Sequence, residues 1–164
     1  MKERTMTVSG FSKSHCMTGW RIGYAMAPAE LLKVMITLSV SQTYGVNTLA
    51  QQGAAFALAT QDEKVKARTA EYEKRVRYCA DRLNTMPGVT CPEPRGAFYL
   101  FPDISGTGRN DEEFAWWLLE KAKVAVIPGT AFGASGAGHV RIACTLGMDD
   151  LKKAMDRMEE ALSR

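Results

Sequence analysis

A chain of 164 residues is long enough to bury a hydrophobic core, as one ordinary domain or two very small ones, and 46% hydrophobic with 24% charged residues excludes a disordered polymer. The formal net charge of +3 is mild and the basic residues are spread out, which argues against a nucleic-acid surface; no apolar run could span a bilayer, and the N-terminus lacks a signal peptide's apolar core, so the cytoplasm is the expected location. Cys16, Cys79, Cys91 and Cys144 form no C-x-x-C pair and His15 and His139 are too few for a cluster, so no metal site or redox motif is expected and the thiols read as reduced.

Residues 4–8 are rich in threonine and apolar side chains and read as a strand that delivers Lys13 at its end. A turn at Met17-Thr18-Gly19 leads into a second strand over residues 20–27, whose period-two pattern puts Trp20, Ile22, Tyr24 and Met26 on one face. Arg21, Gly23, Ala25 and Ala27 fall on the other, leaving little bulk beside the guanidinium. A lysine that loses its proton can condense with an aldehyde, and an arginine fork can grip a phosphate with two hydrogen bonds, so Lys13 and Arg21 together suit a ligand carrying both groups. On spacing alone they read as solvated surface charges. Two strands cannot bury their faces or satisfy their edges, so this pair is expected to belong to a larger sheet.

Pro28 opens a helix over residues 30–40, with Leu31, Leu32, Met35, Ile36 and Leu38 at near-helical spacing. After a turn at residues 42–47, Thr48 and Gln51 read as a capping box for an Ala- and Gly-rich helix over residues 49–59 that can approach a neighbour closely. Residues 62–86 form a long helix with Val65, Tyr72, Val76, Cys79, Leu83 and Met86 as its apolar stripe, a charged solvated face that includes the pair Glu73 and Arg77, and a stop at Pro87-Gly88. A domain boundary falls in this segment, giving expected domains 1–60 and 61–164.

Residues 89–91 and 97–101 read as strands, and residues 111–122 as a helix in which Trp116 and Trp117 are packing residues. Residues 124–127 read as a strand stopped by Pro128-Gly129. The glycine-dense stretch over residues 129–138 fits neither dinucleotide nor Walker patterns and reads as a mobile loop. In the strand that follows, Val140 and Ile142 face the core while His139, Arg141 and Ala143 face away, and residues 148–162 close the chain as an amphipathic helix.

The strings Gly10-Phe-Ser-Lys13 and Met17-Thr-Gly-Trp-Arg-Ile-Gly-Tyr24 closely resemble the lysine signature of the class I and II aminotransferases, fold-type I pyridoxal-phosphate enzymes. The resemblance runs over nearly the entire chain and implies an α/β fold: the end of a large cofactor domain followed by an α+β small domain, the C-terminal part of such a transferase. It implies that Lys13 condenses with pyridoxal 5'-phosphate and acts as general base, that Arg21 holds the cofactor phosphate, and that Ser12 neighbours it. Gly10 stands where some relatives carry a phosphate-binding serine. Pro128-Gly129-Thr-Ala-Phe132-Gly133 followed by Arg141 matches the family's layout for a substrate-carboxylate arginine, although by itself Arg141 reads as solvated. The implied partners are an amino acid, a 2-oxo acid and a second subunit in a homodimer, and residues 42–47 match a segment near the partner's site.

No suitable acid for the cofactor's ring nitrogen precedes Lys13, so Met1 reads as an internal methionine or an artificial start, and this polypeptide alone is expected to bind cofactor poorly and transaminate negligibly. Other fold-type I enzymes, carbon-sulfur lyases and cyclopropane-forming synthases among them, share the lysine signature. A non-catalytic aminotransferase-like module for dimerisation or ligand sensing is the other class the sequence allows.

Overall fold

Period-two alternation and helical stripes organise the chain into two compact units, Met1–Thr69 and a second beginning at Ala70, in a computed structural model that describes residues 1–163. The division falls within the long helix, so each unit carries part of it.

In the N-terminal unit, β1 (Thr7–Gly10) pairs antiparallel with β2 (Gly23–Met26), with Thr7 opposite Met26 and Gly10 opposite Gly23. Both strands are shorter than the sequence pattern predicts. Residues 4–6 and 20–22 lie outside them, because the chain makes 3-10 turns at Lys2–Arg4 and Thr18–Trp20. The connection between the strands holds the one-turn helix α1 (Phe11–Ser14). Phe11 anchors it: its N–H donates to the Ile22 carbonyl at 3.3 Å, and its own carbonyl accepts from His15 and Met17.

Helices α2 (Ala29–Thr43) and α3 (Thr48–Thr60) follow. The cap of α3 differs from expectation, since Asn47 is the N-cap and its side chain accepts from the Ala50 N–H at 3.0 Å, leaving Thr48 as the first helical residue. Ala50, Ala54 and Ala57 line the buried face of α3 and join Phe11, Met17 and Ile22 in a small core. A side chain at Gly53 would meet the Trp20 ring at 2.5 Å, so the small-residue helix does receive a neighbour closely. Helix α2 has no fully buried residue: Leu31, Val34, Ile36, Leu38 and Val40 are exposed, and Leu32 and Met35 are half-buried.

The C-terminal unit has a conventional core. Helix α4 (Asp62–Leu83) supplies Val76, Cys79, Ala80 and Leu83, ending earlier than predicted because Met86 caps a tight turn instead of extending the helix. Strands β3 (Tyr99–Leu100), β4 (Ile127–Pro128) and β5 (Val140–Ala143) form an antiparallel sheet in the order β3-β5-β4. Residues 89–91 are no strand; Thr90 alone bridges to Asp103, which bridges in turn to His139. Helices α5 (Asp111–Ala122) and α6 (Met148–Leu162) match their predicted ranges and cover the sheet with Phe114, Leu118, Leu151, Met155 and Met158. A reciprocal box caps α5, with Asn110 accepting from the Glu113 N–H and Glu113 accepting from the Asn110 N–H. Arg82 ties α4 to α6 by donating to both Asp156 and Glu159 at 2.8 Å.

Of the paired tryptophans only Trp117 packs, under the Arg109 guanidinium at 4.2 Å, whereas Trp116 is 66% exposed. Phe114 is fully buried at the centre of the same helix. Phe114→Ala should therefore cost about 3–5 kcal/mol in urea unfolding, against less than about 0.5 kcal/mol for Trp116→Ala.

Candidate functional site

Lys13 is exposed on α1, one residue after half-buried Ser12, and its backbone carbonyl accepts from the Cys16 N–H at 3.3 Å. The short helix is braced from α4, where Arg68 donates from Nη2 to the Ser14 carbonyl at 3.1 Å while its Nε stays buried without a hydrogen-bond partner. Nothing in the sequence singled out Arg68, which sits among many charged residues of that helix. It adds a cation to the amine-bearing turn.

Arg21 is not a strand residue. It closes the Thr18–Trp20 turn in the left-handed region, at φ 50° and ψ 51°, and donates from Nη1 to the Thr18 carbonyl at 2.8 Å. This conformation costs a side chain with a Cβ energy that glycine would not incur, so the fold holds an arginine where local preference is against it. The exposed guanidinium opens on a shallow cleft of about 500 Å³ that it shares with Gly19, Trp20, Asn47 and Leu49. Lys13, Ser12 and Arg21 thus lie along one β1-to-β2 connection, the amine on its helix and the guanidinium on its turn.

In the C-terminal unit the predicted alternation of β5 holds. Val140 and Ile142 are buried, and Arg141 projects from the opposite face. Its guanidinium carbon lies 4.7 Å from the centre of the Tyr99 ring and 4.5 Å from that of Phe132. Its Nε is buried without a hydrogen-bond partner. A desolvated cationic N–H with no acceptor is unfavourable by itself and calls for an anion, and planar carboxylates match the guanidinium edge. Tyr99 and Phe132 were not legible as part of this site, although the Pro-Gly-x-x-Phe-Gly string pointed to the segment that carries Phe132.

The glycine-dense stretch folds into two 3-10 turns, Gly129–Phe132 and Ala134–Gly136. Their backbones touch: a Cβ on Gly129 would collide with the Gly136 carbonyl oxygen. Asp111, a buried acid at the start of α5, accepts from both the N–H and the hydroxyl of Thr130, at 2.9 and 2.6 Å. Among the described residues no group of three or more His, Cys, Asp or Glu could hold a metal, and no helix is long and apolar enough to cross a membrane.

A sequence profile of the family "Aminotransferase class I and II" matches residues 1–158. The chain belongs to this family. Over 162 residues this aminotransferase-family chain is 44% identical to an aspartate aminotransferase of Pyrococcus horikoshii, covering 98% of the chain and 41% of that relative. It is 42% identical over 166 residues to aromatic-amino-acid aminotransferase 2 of Thermococcus litoralis, covering 99% of the chain and 42% of the relative. The crystal structure of an aromatic aminotransferase from Pyrococcus horikoshii superposes with a TM-score of 0.93 at 41% identity, over 99% of the chain and 44% of that structure. The chain therefore spans about two fifths of the length of the curated relatives it matches, and its α/β fold is that of a portion of a fold-type I aminotransferase.

Two chemical consequences follow for this chain. Hydrogen bonds from Thr130 hold the Asp111 carboxyl below the usual carboxylate range. Its folded form is thus the stronger acid, and its contacts add stability at neutral pH that fades as pH falls through the ordinary carboxylate range. Asp111→Asn should flatten this part of the acid limb of stability, read as a smaller loss of urea midpoint between about pH 7 and pH 3 than in the parent chain. Burial pushes the Cys91 thiol up to about 11, and Cys79 and Cys144 are fully buried, whereas Cys16 is exposed. A disulfide reagent should therefore label Cys16 in the native chain and reach the other three only on unfolding, as mapped by mass spectrometry.

Proposed function

We propose that this chain is the C-terminal portion of a pyridoxal-phosphate-dependent aminotransferase, aspartate-aminotransferase-like, that moves an amino group between an amino acid and a 2-oxo acid. The supporting observation is the β1-to-β2 connection, which presents an exposed amine and an exposed guanidinium on successive turns of one small unit.

The residues present fit such a cofactor by the chemistry of their donors. Lys13 supplies a primary amine for an aldehyde. Arg21 supplies a fork for a phosphate at the cleft, where the neighbouring Gly19 leaves open space: a Cβ there would meet nothing within 4 Å. Ser12 offers a hydroxyl beside them. Pyridoxal phosphate, when bound, supplies an aldehyde that condenses with amines and a ring that accepts electrons from the substrate carbon.

Lys13 would hold the aldehyde end, and its freed amine would carry a proton at the substrate α-carbon. Arg21 would bind the phosphate and keep the ring end from drifting. Arg141 would bind the substrate α-carboxylate along its donor edge, orienting the amino group and excluding water through its aromatic neighbours. Matches to aspartate and aromatic-amino-acid enzymes support an amino-acid donor class. The whole protein is proposed to work in the cytoplasm as a homodimer.

Borohydride reduction of the whole protein after adding pyridoxal phosphate, followed by peptide mapping, should place the pyridoxyl label on Lys13 and lose it in Lys13→Ala. The 164-residue chain alone should take up little label at micromolar cofactor. Label on a different lysine in the whole protein would overturn the assignment.

A further inference from the structure

Arg141 sits on the outer face of the three-stranded sheet, and that face is unusually aromatic. Tyr99 lies on the same side, opposite Ala143 in the register, and Ile127 pairs directly with Arg141. Phe132 reaches this face from the turn Gly129–Phe132. It meets Phe101 edge-on at 6.3 Å, and Phe101 stacks on His139 at 5.2 Å. His139 is held in turn by its Nδ1 contact with the Ala137 carbonyl at 3.0 Å. Unlike Tyr99, Phe132 is not placed by the sheet. It is half exposed and hangs from a turn whose attachment decides where the ring goes.

That attachment is Asp111. Its buried carboxylate accepts both donors of Thr130, two residues before Phe132, and the Gly129 N–H donates to the His139 carbonyl at 2.8 Å. The backbone contact between Gly129 and Gly136 leaves the turn no slack on its other side. A buried carboxylate that serves only the helix dipole would not need two charge-assisted hydrogen bonds to a residue nineteen positions away.

We propose that Asp111 is a positioning residue for Arg141, on the reading given above of Arg141 as the carboxylate-binding group. Through Thr130 it pins the Gly129–Phe132 turn so that the Phe132 ring stays against the guanidinium, opposite in role to the sheet-held Tyr99. The two rings lie within cation–π distance of the guanidinium and shield it from water, which leaves its N–H edge as the approach for an anion. A planar oxyanion matches that edge and a spherical anion does not. Loss of the latch frees Phe132, rehydrates the guanidinium and weakens carboxylate binding without touching the arginine itself.

The test is NMR of the nitrogen-15-labelled 164-residue chain, following the Arg141 Nε–H resonance, assigned by its loss in Arg141→Lys. Acetate is titrated against chloride at matched ionic strength. The expected result is a saturable shift with acetate and little with chloride, and a roughly tenfold weaker acetate response in both Asp111→Ala and Phe132→Ala. The double variant should bind no more weakly than Phe132→Ala alone, because one residue acts through the other, and Phe132→Tyr should restore binding to within about twofold. A merely structural Asp111 would give additive losses. Parent-like acetate binding by Asp111→Ala, or additive losses, overturns the latch while leaving the Arg141 reading standing; no acetate response in the parent chain overturns both. Should Asp111→Ala fail to fold, Thr130→Val decides, since it removes only the hydroxyl bond: about threefold weakening supports the latch and unchanged affinity overturns it.

Discussion

The antiparallel ladder of β5 couples the core of the C-terminal unit to its chemistry. Because successive side chains alternate across a strand, the pairing that drives Val140 and Ile142 inward turns Arg141 outward, between strands that supply Tyr99 on one side and Ile127 on the other. A one-residue slip would bury the guanidinium and expose both aliphatic residues. Register and site are therefore fixed by the same hydrophobic burial, and the packing of α5 and α6 on the inner face is what holds the arginine in place on the outer one.

The two units differ in how far they satisfy themselves. The C-terminal unit closes a continuous core from α4 through α6. The N-terminal unit gathers six buried residues and leaves most of α2 and of both strands exposed. A two-stranded ribbon with unpaired edges and an apolar helix with no buried residue are features of a partial sheet and its covering helix. This agrees with a chain that spans about two fifths of its relatives' length.

Much of this was legible where the determinants are local. Helices α5 and α6 announce themselves by amphipathic spacing and by acids in their first turns, and both begin and end where the sequence places them. The outward face of Arg141 follows from period-two alternation alone. Non-local features were harder. Residues 89–91 look like a strand but find a single bridge, because pairing depends on a partner distant in sequence. The left-handed kink at Arg21 delays the second strand until Gly23, and an arginine does not advertise such a kink as glycine does. Asp111 resembles any acid at a helix start, and only the fold brings Thr130 to it. Phe132 lay in a stretch whose glycines suggested mobility, whereas two of them, Gly129 and Gly136, let the backbone pack against itself.

Arg21 sets backbone comfort against side-chain chemistry. At a left-handed position an arginine gives up roughly 1 kcal/mol relative to glycine, so the residue that would relax the main chain is one with no guanidinium to offer. A library screened for heat resistance alone would drift towards glycine here, whereas the phosphate-binding role proposed for Arg21 would oppose that drift. The position thus marks, in a single torsion angle, where main-chain stability and the role proposed for the side chain part company.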